Sequence, residues 1–222
     1  MKNQILRFNV MNKDFCESCT SNELTPPCII TKIPSNPDIE DILLRKDFVL
    51  VENLICHTYA QIYENNCLKI NENCDECGLC LAMCKHLTVA QSLDFSKLEK
   101  AIFEDLSKIC ILLKRFCPSK IIATEVKTKG NSRTKRIDLC ISFDKKIYLI
   151  KLLKNLDKIP MYSRSFDDVI KIYSDKYKDF SFSKLFLVPE SIALKNKNPD
   201  LQLITLKDLL KNFGETNGPI IK

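Results

Sequence analysis

Apolar residues recur every three or four positions at Phe95, Leu98, Ile102, Leu106, Ile109, Leu113 and Phe116, the spacing that lines one face of an α-helix. Ser96 and Glu99 have capping-box spacing and Pro118 ends the pattern, so one long amphipathic helix is predicted over 95–116. The period then falls to two. Segments 120–127, 136–143 and 146–153 read as strands, and their short polar links predict an antiparallel meander. A helix from Phe166 carrying Val169, Ile170, Tyr173 and Tyr177 follows, then strands over 184–188 and 201–205 and a last short helix to Phe213. The first 93 residues pattern less clearly, because TPPC and IPSNPD interrupt them; short helices are expected over 39–46 and 54–65.

Charge divides the chain at about the same place. Residues 1–93 hold 8 Lys+Arg and 12 Asp+Glu, whereas residues 94–222 hold 26 and 16. Two domains are expected, 1–93 and 94–222, and the basic second one suits a polyanion, nucleic acid ahead of a membrane. No apolar run approaches the length of a membrane span, and the start has no apolar leader core, so a cytoplasmic, reducing location is expected. The 12 cysteines therefore read as metal ligands or core thiols rather than disulfides. With 4 glycines and no G-x-x-x-x-G-K-[ST] or G-x-G-x-x-G, nucleotide chemistry is excluded from the expectations.

Cys74, Cys77, Cys80 and Cys84 in NCDECGLCLAMCK follow C-x2-C-x2-C-x3-C spacing, which resembles bacterial-type ferredoxins and implies a 4Fe-4S cluster, with zinc as the rival. Lys85 stands where that pattern has proline, so either Cys84 or the distant Cys117 of Cys117-Pro118 completes the set. A second group, Cys16, Cys19 and Cys28, lacks a local fourth ligand. It would have to recruit Cys84, Cys56, Cys67 or His57.

The order helix, three strands, helix, two strands, helix, with RIDLCISFDKKIYLIKLLKN at its centre, resembles the restriction-endonuclease-like PD-(D/E)XK superfamily over residues 94–213. The resemblance implies an α/β (α+β) fold with a mixed sheet flanked by helices, here preceded by an N-terminal cysteine-rich module. It also implies Asp138 and Lys151 as site residues, with Mg2+ for phosphodiester hydrolysis. Leu149 occupies the place of the second acid, and leucine cannot ligate a metal. Glu99 and Glu125 are the carboxylates that would replace it; without them the site is degenerate.

Binding needs no such pair. The link KTKGNSRTKR gathers Lys127, Lys129, Arg133, Lys135 and Arg136 at a hairpin tip, a phosphate-tracking surface for DNA ahead of RNA. Three readings result: an iron-sulfur or zinc protein whose nuclease-like domain binds or cleaves nucleic acid, a non-catalytic assembly subunit working with protein partners, and a ferredoxin-like electron carrier.

Overall fold

A computed structural model describes residues 28–34, 36–46, 49–65, 67–83, 95–129, 134–194 and 201–214. By their contacts, the described residues fall into two compact units. One holds residues through Lys32 and Glu52–Arg115, the other Ile33–Val51 and Phe116 onward. This division does not follow a single cut near residue 93. The segment 33–51 is grouped with the sheet, and the helical region before Phe116 with the cysteines.

The sheet unit is a mixed α/β structure of five strands that lie side by side in chain order. Strands β5 (Ile121–Lys129), β6 (Thr134–Phe143) and β7 (Lys146–Leu152) form the expected antiparallel meander. Asp144 and Lys145 turn between β6 and β7 with φ of 47° and 59°, the left-handed pair that a two-residue hairpin needs. Helix α5 (Ile159–Lys176) starts earlier than Phe166, with a proline in its first turn where no amide donor is lost. The chain then returns as β8 (Ser181–Leu187), parallel to β7, and β9 (Leu203–Ile204), parallel to β8. Between these strands lies the short helix α6 (Glu190–Ala193). Thr205 and Asp208 cap the final helix α7 (Leu206–Phe213) reciprocally, so its first amides are satisfied.

Leu149, Phe166, Val169, Tyr173 and Phe186 pack together as the core of this unit. Ile39, Ile42 and Leu43 of helix α1 (Ile39–Leu43) join the same core. Strand pairing explains why that early segment belongs here: Lys127 N–H donates to Pro37 O at 2.8 Å, covering part of the outer edge of β5.

In the cysteine unit, 54–65 is not the expected helix. Strand β2 (Leu50–Leu54), which pairs with β1 (Ile30–Pro34), ends where that helix was expected to begin. Strand β3 (Gln61–Glu64) then makes an antiparallel hairpin with β4 (Cys67–Ile70). Helix α2 (Leu79–Met83) follows the cysteine run. The predicted long helix is two, α3 (Phe95–Glu104) and α4 (Ser107–Phe116). Asp105 makes the break, because its carboxylate accepts from Ser107 N–H at 2.9 Å and from Ser107 Oγ at 2.7 Å, capping a new helix. Ser96 lies inside the first turn of α3 and is not its cap. Residues 108–113 are all buried, so α4 is covered on every side rather than along one stripe. No helix of the described residues is long and apolar enough to cross a membrane.

Candidate metal centre and the Asp138–Lys151 pair

Three of the predicted ligands do converge. Cys74, Cys77 and Cys80 line a small cavity, and Cys56 lines it with them. Two left-handed residues shape the loop: Glu76 with φ 60° and Gly78 with φ 80°, each just before or after Cys77. Asn71 starts the turn by accepting from Asn73 N–H at 2.9 Å, and Asp75 Oδ1 accepts from Cys77 N–H at 3.2 Å. The β3-β4 hairpin places the Cys56 segment opposite this loop, because Asn71 N–H donates to Ala60 O at 2.9 Å and Gln61 pairs with Ile70.

Amide donors already point at the sulfurs. Ala60 N–H approaches Cys56 Sγ at 3.2 Å and Glu76 N–H approaches Cys74 Sγ at 3.4 Å, contacts that stabilise a thiolate ligand. Burial nevertheless holds the thiols protonated: it pushes Cys77 up to about 12, raises Cys74, and raises Cys80 furthest, with the nearby cysteines adding to the effect. A bound cation is what would reverse that balance.

His57 and Asp75 adjoin the same place. His57 Nε2 lies 2.8 Å from Asp75 Oδ2, and these two with Cys77 are the one described group whose ligand atoms all lie within 4.8 Å of one another. His57 Nδ1 and Gln61 Oε1 are buried with no hydrogen-bond partner. Such atoms each cost about 1–3 kcal/mol.

Of the remaining predicted ligands, Cys28 is buried in this unit and is among the cysteines whose proximity raises the Cys80 thiol, whereas Cys16, Cys19 and Cys84 lie outside the described residues. Cys117 is fully buried and is grouped with the sheet unit. Sequence spacing missed Cys56 as a partner of the first set, because a hairpin rather than a local motif brings it there.

In the sheet unit, Asp138 and Lys151 meet across β6 and β7 as register requires. Lys151 Nζ donates to Asp138 Oδ1 at 2.5 Å, and Leu152 N–H donates to Asp138 Oδ2 at 3.0 Å, so both carboxylate oxygens are engaged. The pair is mostly buried, at 19% and 17% side-chain exposure, and Lys151 Nζ also lies over the Tyr162 ring at 4.7 Å. Leu149 is fully buried in the core.

Of the two replacement carboxylates, Glu125 belongs to the same unit as this pair. Glu125 has φ 52°, is exposed, and lies 3.8 Å from Arg136. Glu99 sits half-buried on α3, in the cysteine unit. Of the basic residues, Lys127, Lys129 and Arg136 are exposed. Lys135 is instead turned toward α5, 2.7 Å from Asp168, and Arg133 lies outside the described residues.

No protein-family model matches this chain, and no curated protein matches it. A solved structure, protein VC1899 from Vibrio cholerae, aligns at 15% identity with a TM-score of 0.27, covering 90% of this chain and 47% of that one. The chain thus spans less than half of that protein's length, and a likeness so slight carries no argument about function.

Proposed function

We propose that this chain is a metal-centred protein whose nuclease-like sheet binds nucleic acid without cleaving it. The observation that carries the reading is the state of Asp138. Mg2+ is held by one or two carboxylates together with substrate phosphates, so a lone carboxylate already engaged by an ammonium is a poor holder. Here one oxygen takes the lysine ammonium, the other takes a backbone amide, and Leu149 fills the place of the partner acid.

The binding half of the proposal rests on charge. Lys127 and Lys129 alternate outward on β5, and Arg136 stands exposed across from Lys127. Phosphates attract such a ridge without any base-reading contact, so affinity falls steeply with salt. When bound, a cluster or ion held by Cys74, Cys77 and Cys80 would cross-link the backbone segments that carry them.

A second reading, an assembly subunit, is favoured by the exposed apolar run Val49-Leu50-Val51. Incubating the full chain with single-stranded, duplex and branched DNA and with RNA, in Mg2+ or Mn2+, separates these. The first reading expects salt-dependent binding and intact substrate. Cleavage that disappears in Asp138→Ala would overturn it, and absence of binding at low salt would leave the assembly reading.

A further inference from the structure

We infer that Cys56 is the fourth ligand of the metal centre, closing a Cys56, Cys74, Cys77 and Cys80 set around a 4Fe-4S cluster. This rests on the reading of the Cys74–Cys80 run as metal-binding and adds what the spacing alone left between Cys84 and Cys117. Four observations in one unit carry it.

The four residues share the walls of one cavity. Cys56 Sγ has the ligand's hydrogen bonds in place, from Ala60 N–H at 3.2 Å and with Thr58 Oγ1 at 3.3 Å. The β3-β4 hairpin fixes the two loops against each other through Asn71 and Ala60. A buried cation supplies the counter-charge: Lys108 is 1% exposed, and its Nζ donates to Leu54 O at 2.6 Å and to Ile55 O, the two carbonyls just before Cys56. Asp105 lies 3.7 Å away and is half exposed, so the thiolates of a loaded centre would share this buried ammonium with one partly solvated carboxylate.

The sulfur spacing suits a cluster better than a single ion held by cysteines alone. A zinc with sulfurs at about 2.3 Å would draw them to within about 4 Å of each other. Among the described residues no three cysteine sulfurs lie within 4.8 Å of one another. A cluster places a different iron under each thiolate and holds the sulfurs wider apart. His57 and Asp75 then stand beside the centre as neighbours, not as ligands.

The test uses the wild-type full chain, purified without oxygen. Iron, sulfide and zinc are counted, and cysteines are alkylated before and after metal removal and read by mass spectrometry. We expect about four irons and four sulfides per chain, with Cys56, Cys74, Cys77 and Cys80 protected together and labelled together once the metal is stripped. Cys56→Ser is expected to lose at least half of the iron, while Cys84→Ser, Cys117→Ser and His57→Ala keep it. Metal present with Cys56 labelled throughout would overturn the assignment of Cys56 alone. Loss of metal in His57→Ala with full retention in Cys56→Ser would move the site to His57, Asp75 and Cys77, overturning it too. One zinc per chain, lost in Cys56→Ser, would uphold the ligand and overturn the cluster. A wild-type chain without metal would overturn the metal centre itself.

Discussion

The cysteine pocket and the Asp138–Lys151 pair are both clusters of chemically capable side chains, but they differ in how far each is satisfied by its own surroundings. At Asp138 every oxygen has a donor and Lys151 has both a carboxylate and an aromatic face. In the cysteine pocket desolvation raises the Cys77 and Cys80 thiols, while His57 Nδ1 and Gln61 Oε1 lack partners. A pair whose groups satisfy one another can hold the fold without any further component. A site that leaves buried polar atoms and thiols unanswered points to a missing component.

Breaking the comparison at its stronger end is expected to give the largest effect. Structural thiolate sites contribute on the order of 10 kcal/mol to folding, so stripping the metal, or making Cys77→Ser, should expose the cysteine unit to proteolysis. Limited digestion of loaded and stripped chain reads this directly. Acid should act in the same direction, because protons compete with metal for thiolates; metal release should rise as pH falls.

The next effect lies in the sheet. Asp138→Asn removes the charge that balances a mostly buried ammonium and should cost about 2–3 kcal/mol in denaturant unfolding. The double variant Asp138→Leu with Lys151→Met removes both charges and should recover most of that. Recovery would mark the pair as structural; a folded single variant that gained or lost nuclease activity would mark it as chemical.

Smaller again is charge reversal on the ridge. Lys127→Glu with Lys129→Glu should weaken nucleic-acid binding roughly tenfold and flatten its salt dependence by about one to two units of slope, measured by anisotropy at several salt concentrations. Lys135→Ala should act instead through stability, because Lys135 is held by Asp168 and Ser165 O. The smallest change is Cys140→Ala. This thiol is fully buried in the sheet core, so its loss should cost about 1 kcal/mol and leave metal content unchanged.

The parts legible in sequence were those governed by local rules. Alternation over β5 to β7 and the polar Asp144-Lys145 link gave the meander, and opposite placement on adjacent strands correctly paired Asp138 with Lys151. What escaped was non-local or competitive. Asp105 offers a better cap than continued helix offers an amide, so periodicity over 95–116 overran a break. Apolar residues over 54–65 suggested a helix, yet hairpin pairing from Gln61 claimed that backbone. The same hairpin brings Cys56 to the cysteine loop across 18 residues of sequence from Cys74, which no motif spacing encodes.

The most direct test of the contrast is the metal content per chain of wild type, Cys77→Ser and Asp138→Asn, each purified anaerobically in full length. The account predicts equal, stoichiometric metal in wild type and Asp138→Asn and almost none in Cys77→Ser. Metal retained in Cys77→Ser, or lost in Asp138→Asn, would contradict it.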